Sequence, residues 1–232
     1  MTISAVVVAG GLGRRMKNSI PKQFLKLGNK PIITHTIEKI VSIPLINEII
    51  AVLPETDFEL RAHELKKTLP HVSFKAIVKG GKERQDSVLN GFQSCSTKSS
   101  IIIIHDAVRP FFDPKAINNG VAMIKENICD GVIYAIPVTD TIKLTGKNEF
   151  IIRTVERENL FRAQTPQIFK KSILDKAFKN AYSKKLYFTD DAAMIEAIKG
   201  KIRIIEGSET NIKITSEKDL KIAEYLLKQN LI

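Results

Sequence analysis

Two tracts of the chain hold side chains suited to gripping phosphate. In the first, Ala9, Gly10, Gly11, Leu12 and Gly13 make a glycine turn, and Arg14, Arg15, Lys17 and Lys22 follow it closely. Glycine lets the backbone approach a ligand, and the N–H groups exposed there suit phosphate oxygens. A polyanion on this turn would meet several cations at once. The turn is not a P-loop, since neither GxxxxGKS nor GxxxxGKT occurs. Nor is it the dinucleotide fingerprint, since Met16 stands in the third glycine position. Alone, such a turn is as readily structural as functional; the cations and the downstream Pro21, Lys22 and Gln23 favour a ligand.

The second tract is His105-Asp106-Ala107-Val108-Arg109-Pro110, directly after four consecutive isoleucines. Asp106 offers a ligand for a divalent cation or a ribose hydroxyl, and Arg109 offers a fork for phosphate. The competing structural reading is an Asp–Arg ion pair that closes a loop. A nucleophile in a recognisable setting is missing. GxSxG does not occur, Cys95 and Cys129 stand in no motif, and the four histidines lack the spacing of a metal site. The chemistry indicated is direct displacement rather than a covalent enzyme intermediate.

Such a site needs a scaffold that brings the two tracts together. Residues 3–8 read as a buried strand running into the glycine turn. Helical spacing over 33–42 is followed by an apolar run at 48–53, stopped by Pro54, and by a helix over 57–68. A third strand is expected over 72–78, stopped by Gly80 and Gly81, and a helix over 87–95. Residues 101–104, all isoleucine, predict a central strand covered on both faces. A helix over 114–126 and a strand over 131–136 continue the alternation. The pattern predicts a three-layer α/β fold with a mainly parallel sheet, whose loops after Val8, Val78 and Ile104 share one edge. Ligands bind at that edge in open sheets. Residues 138–154 alternate around Gly146 and predict a hairpin that packs on the domain or reaches a partner subunit. Helices near 172–182 and after Thr189, a strand over 202–206 and a last helix capped at Ser216 complete one domain over residues 1–232.

Composition narrows the function classes. With 44% hydrophobic and 26% charged residues the chain is globular rather than disordered. Two cysteines exclude a disulfide framework and a four-cysteine zinc site. No apolar run reaches the roughly 18 residues of a membrane span, and no basic segment precedes residues 3–11 as a signal peptide requires. A soluble, cytoplasmic protein with no membrane partner is expected. The net charge of +11, from 36 basic and 25 acidic residues, admits nucleic acid, an anionic membrane or a small anionic substrate. Basic residues come singly or in pairs, such as Lys66 with Lys67, and no zinc-finger or RNA-recognition signature occurs, so no specific nucleic-acid partner is expected. A nicotinamide-dependent oxidoreductase on the same sheet is disfavoured by Met16 and by Glu55, a poor candidate for the acidic residue after the second strand.

Taken in order, AGGLGRRM at 9–16, PKQ at 21–23, GGKERQDSV at 80–88, HDAVRP at 105–110, TVER at 154–157, AQTPQ at 163–167, TDDA at 189–192 and NIKIT at 211–215 closely resemble the 2-C-methyl-D-erythritol 4-phosphate cytidylyltransferase family. The resemblance runs from Ile3 to the last helix. It implies transfer of a cytidylyl group from CTP to a polyol phosphate with release of pyrophosphate, Mg²⁺ as cofactor, and a Rossmann-like nucleotidyltransferase fold with a β-arm for homodimerisation. By motif, Ala9, Gly10, Gly11, Gly13, Gly81, Ser87, Asp106 and Ala107 fall around the cytidine nucleotide. Arg15 and Lys22 fall where the family stabilises the pentacoordinate α-phosphate. Asp106, Arg109, Thr141, Arg157, Thr165 and Lys213 fall where it orients the acceptor phosphate, with Asp106 at the metal and Arg157 entering the partner's site. The residues implied to be catalytic are Arg15, Lys22, Arg157 and Lys213. The chain departs from the family pattern at Gly10, usually alanine, and at Asp191, usually glutamate. AGG and Val108 also occur in ribitol 5-phosphate cytidylyltransferases, which keeps ribitol 5-phosphate as the alternative acceptor, while TVER and Asn211-Ile212-Lys213 lean toward methylerythritol phosphate.

Overall fold

A seven-stranded sheet is the frame from which both candidate tracts extend. The computed structural model describes residues 1–11 and 20–229. In chain order the elements are β1 (Thr2–Val8), β2 (Lys26–Leu27), β3 (Lys30–Pro31), α1 (Ile32–Val41), β4 (Glu48–Leu53), α2 (Phe58–Thr68), β5 (Ala76–Lys79), α3 (Arg84–Gln93) and β6 (Ser99–Asp106). They continue with α4 (Pro114–Lys125), β7 (Gly131–Pro137), β8 (Ile142–Thr145), β9 (Ile151–Val155), β10 (Phe161–Lys170), α5 (Lys171–Ser183), α6 (Asp191–Glu196), β11 (Ile202–Glu206) and α7 (Glu217–Lys228). The sheet order is β11-β7-β10-β6-β1-β4-β5. Every neighbouring pair is parallel except those of β10, which runs antiparallel to β6 and β7.

The isoleucine strand is buried as its composition demands. Successive side chains of a strand point to opposite faces, so Ile101 and Ile103 join one core and Ile102 and Ile104 the other. Ile33 and Ile37 of α1, Leu65 of α2 and Val121 of α4 cover the first face. Val88 of α3, Leu174 and Phe178 of α5 and Ile195 of α6 cover the second. A third cluster joins Ala223 and Leu226 of α7 to Leu27, Val108, Phe111 and Ile214, and so anchors the loop that carries Lys213. Among the described residues no helix is long and apolar enough to cross a membrane.

Several boundaries differ from the sequence expectation, each for a local reason. The third strand starts at Ala76 rather than 72, because the Val72 N–H continues the turn out of α2 by bonding the Leu69 carbonyl. Helix α3 opens at Arg84 rather than 87, where the Asp86 carboxylate accepts the Glu83 N–H at 3.0 Å, and it ends at Gln93 rather than 95. Strand β6 continues through His105 and Asp106, so Asp106 ends a strand instead of opening a loop. Strand β10 is absent from the sequence expectation, since Arg162, Gln164, Thr165 and Gln167 are polar and Pro166 interrupts it. The register against β7 shifts between Gln164 and Gln167, and this irregularity accommodates a residue that has no N–H to give. The hairpin expected over 138–154 is formed by β8 and β9.

Candidate active site

The C-terminal ends of β1, β4, β5 and β6 meet at one edge of the sheet, around a cleft of about 590 Å³. Register places them side by side. Val8 lies opposite Asp106, the Ala107 N–H bonds the Val8 carbonyl at 3.0 Å, and the Ala9 N–H bonds the Val52 carbonyl at 2.7 Å. The common edge therefore makes the glycine turn after β1 a direct neighbour of the HDAVRP tract, which begins 96 residues after Ala9.

Lys22 reaches the cleft through its neighbour. It opens the 3-10 turn Lys22–Phe24, in which Gln23 is buried. The Gln23 amide Nε2 donates to the carbonyls of Ala9 at 2.5 Å and Gly11 at 3.1 Å, which ties this turn to the glycine turn. On the opposite side, Gly10 approaches the β5 loop so closely that a Cβ would stand 2.7 Å from Ser87 Oγ. At Gly80 a Cβ would stand 3.0 Å from the Gly10 Cα and 3.2 Å from the Leu53 carbonyl oxygen, atoms that cannot rotate aside. Gly80→Ala is expected to cost about 1–3 kcal/mol through overpacking. Gly11→Ala, where nothing among the described residues lies within 4 Å of a Cβ, should leave the Tm unchanged. Equal melting temperatures for the two variants would contradict this close approach. Ser87 Oγ accepts the Gly81 N–H at 3.0 Å and donates to the Glu83 carbonyl at 3.2 Å, which fixes its remaining lone pair.

Asp106 is the electrostatic centre. Its Oδ1 accepts from Arg84 Nε at 3.3 Å, and its Oδ2 lies 2.7 Å from Lys213 Nζ and 3.7 Å from Arg109 Nε. Burial opposes its charge, yet Arg84, Lys213 and Arg109 outweigh burial and hold the carboxyl well below the usual range. Arg84 also donates through Nη1 to the buried Asp191 at 2.8 Å. Burial pushes Asp191 upward, and Arg84 opposes that. Lys213 is delivered by a braced loop: Arg109 Nη1 bonds the Asn211 carbonyl at 2.6 Å, Asn211 Nδ2 bonds the Thr165 carbonyl at 2.9 Å, and the Ile214 N–H bonds the Val108 carbonyl at 2.9 Å. The three cations outnumber the two carboxylates, so the cluster attracts anions.

Behind Asp106 lies a second layer. The Thr165 hydroxyl accepts the Asp106 N–H at 3.0 Å and donates to His105 Nδ1 at 3.0 Å, and His105 Nε2 then donates to the Arg109 carbonyl at 2.9 Å. The Arg109 carbonyl can only accept, so Nε2 carries a proton, and the neutral ring that burial favours leaves Nδ1 to accept from Thr165. Burial pushes the imidazole down to about 4 from an ordinary 6.5, against the pull of the Arg109 carbonyl. Between those values the unfolded chain binds the proton and the folded chain does not. The contribution of His105 to stability is therefore complete above about pH 6.5 and lost as pH falls toward 4. His105→Gln should flatten the dependence of Tm on pH across that window; an unchanged slope would contradict the arrangement.

Of the residues singled out by sequence, Ala9, Gly10, Gly11, Lys22, Gly81, Ser87, Asp106 and Lys213 line the cleft. Arg109 is tucked beside Asp106. Thr165 stands behind it, its hydroxyl committed to Asp106 and His105, and Ala107 is fully buried with its N–H on Val8. Thr141 and Arg157 lie on the exposed hairpin region, outside the cleft lining. Gly13 and Arg15 lie outside the described residues. Sequence reasoning missed Arg84, Asp191, Gln23 and His105 as site residues. Arg84 sits inside GGKERQDSV, but nothing in that motif indicates a partner 107 positions away.

The family model described as 2-C-methyl-D-erythritol 4-phosphate cytidylyltransferase matches residues 3–229. The chain belongs to this family. A 2-C-methyl-D-erythritol 4-phosphate cytidylyltransferase of Syntrophus aciditrophicus is 38% identical over 227 residues, covering 98% of this chain and 96% of the relative. One from Alkaliphilus oremlandii is 39% identical over 225 residues, covering 97% and 94%. The crystal structure of a 4-diphosphocytidyl-2C-methyl-D-erythritol synthase from Anaerococcus prevotii superposes with a TM-score of 0.85 at 25% identity, covering 98% of this chain and 96% of that one. As a member of the methylerythritol phosphate cytidylyltransferase family, the chain is a nucleotidyltransferase of isoprenoid biosynthesis that uses CTP. The ribitol phosphate alternative is not favoured.

Proposed function

We propose that the cleft is where CTP and methylerythritol phosphate meet, and that the cations around Asp106 make their meeting possible. The attacking group is a phosphate oxygen of the acceptor and is already anionic, so no base is needed to generate it. It forms a bond to the α-phosphorus of CTP, the bond from that phosphorus to the bridging oxygen of the β-phosphate breaks, and pyrophosphate leaves. The obstacle is repulsion between two anions, and positioning and charge neutralisation overcome it. In this reading the close-packed Gly10, Gly80, Gly81 and Ser87 receive the cytidine, with Ala9, Gly11, Gly13 and Ala107 shaping its surroundings. Lys22 and Arg15 face the α-phosphate. Lys213 and Arg109 take the acceptor phosphate, while Asp106 orients the polyol and Thr165 holds Asp106.

The residues fit Mg²⁺ in a limited way. Among the described residues no three His, Cys, Asp or Glu side chains gather as a metal cage. Asp106 is buried and kept ionised, which suits one hard oxygen ligand, with nucleotide phosphates and water supplying the rest. When bound, Mg²⁺ neutralises charge on the triphosphate.

The hairpin β8–β9 supports a homodimer. An isolated two-stranded hairpin has little stability in water, yet this one exposes Ile142, Leu144, Phe150, Ile151 and Ile152. A second copy would cover those side chains and receive Arg157 and Thr141 in its cleft. Arg157 Nη1 bonds the Thr139 carbonyl at the base of the hairpin. The cytoplasm, where CTP is supplied, is the proposed site of action.

The observation that carries this reading is the ionised Asp106 surrounded by Arg84, Arg109 and Lys213, in one cleft with Lys22 and the close-packed glycines. Incubation with CTP, Mg²⁺ and either methylerythritol 4-phosphate or ribitol 5-phosphate, followed by mass spectrometry, tests it. The expected product is 4-diphosphocytidyl-methylerythritol. Exclusive formation of CDP-ribitol would overturn the acceptor assignment, and no product from either would overturn the reading.

A further inference from the structure

We infer that Arg84 is a positioning residue for the transfer, holding Asp106 in place while a substrate phosphate draws Lys213 away from it. The inference rests on the proposed role of Lys213 toward phosphate. Asp106 has two sets of partners on different oxygens. On Oδ2 sit Lys213, the most exposed of the three cations, and Arg109, whose Nη1 is held by the Asn211 carbonyl; on Oδ1 sits Arg84 Nε.

Arg84 is harder to recruit than Lys213 because its other end is held. Nη1 donates to Asp191, which is 1% exposed and opens α6. That helix start is itself braced from the sheet. Gln167 of β10 donates through Nε2 to Asp190 Oδ2 at 3.0 Å and accepts the Ala192 N–H on Oε1 at 3.1 Å, and Asp190 Oδ1 accepts the Ala193 N–H at 3.0 Å. The guanidinium thus links Asp106 to a fixed point on the far side of β6. The guanidinium makes both contacts from one rigid planar fork, a fixed geometry that an ammonium lacks. Without Arg84, Asp106 would be left to compete with the acceptor phosphate for Lys213, and both would lose their alignment.

The test compares Asp191→Asn with the double variant Arg84→Gln/Asp191→Asn, since neither contains an unpaired buried carboxylate at position 191. Tm is measured for both, and rates are taken with CTP and methylerythritol phosphate saturating, well below either Tm. A misplacement of about 1 Å costs on the order of 10² in rate, so the double variant should turn over about 10²-fold more slowly than Asp191→Asn, with the loss in kcat. Equal kcat values for the two variants would overturn the inference and leave Arg84 a structural partner of Asp191. Absence of transfer by the unmodified chain would instead overturn the functional reading on which the inference rests.

Discussion

Lys213→Ala is expected to fold normally and to lose about 10²–10³ in kcat, the scale of removing one preorganised donor from a developing anion. Among the three cations around Asp106, Lys213 is the most exposed, at 36% of its side chain against 27% for Arg84 and 12% for Arg109. It is the one best able to turn from the carboxylate toward an incoming phosphate. Its loss leaves the buried Asp106 still paired with Arg84 and Arg109, so the chain should stay folded, with a loss of about 1–3 kcal/mol for one hydrogen bond to a buried charged group. Steady-state kinetics and a thermal melt on one preparation separate the two effects. A near-wild-type kcat would remove Lys213 from the site. A large drop in Tm would show that its role is to neutralise Asp106.

The second large effect concerns the hairpin. If Arg157 completes the cleft of the other subunit, Lys22→Ala and Arg157→Ala should each lose most activity as homodimers. Mixing and exchanging the two should then restore it in part. In a two-fold heterodimer one cleft lacks both residues and the other has both, so an equal mixture should recover about a quarter of wild-type activity. Lys22 lines the cleft of its own chain, whereas Arg157 does not. No recovery after confirmed subunit exchange would place Arg157 outside the partner's cleft.

The sequence made the scaffold legible where physics is local. Four isoleucines in a row admit little besides a doubly covered central strand, and the turn after Val8 announces itself by its glycines. Residues that depend on long-range pairing were hidden. β10 escaped notice because Gln164, Thr165 and Gln167 are polar for reasons internal to the site. Thr165 holds Asp106 and His105, and Gln167 holds the start of α6. Arg84 and Asp191 likewise became recognisable only as a pair. By motif Thr165 is implied to orient the acceptor; in the structure its hydroxyl bonds the Asp106 N–H and His105 Nδ1.

His105 illustrates the same limit. In sequence it is one histidine beside an aspartate, with no metal-site spacing to give it a role. The structure gives it one donor and one acceptor contact, full burial and a ring 4.5 Å from that of Phe112. It ties the end of β6, which carries Asp106, to the backbone of Arg109.

Where the triphosphate lies decides which side chains face the transferred phosphorus. The decisive measurement is a crystal structure of the chain with CTP and Mg²⁺ bound. The cytosine is expected against Gly10, Gly81 and Ser87, with the α-phosphate facing Lys22 and Arg15 and open toward Lys213. A nucleotide bound elsewhere, or one whose α-phosphate faces away from both Lys22 and Lys213, would contradict it.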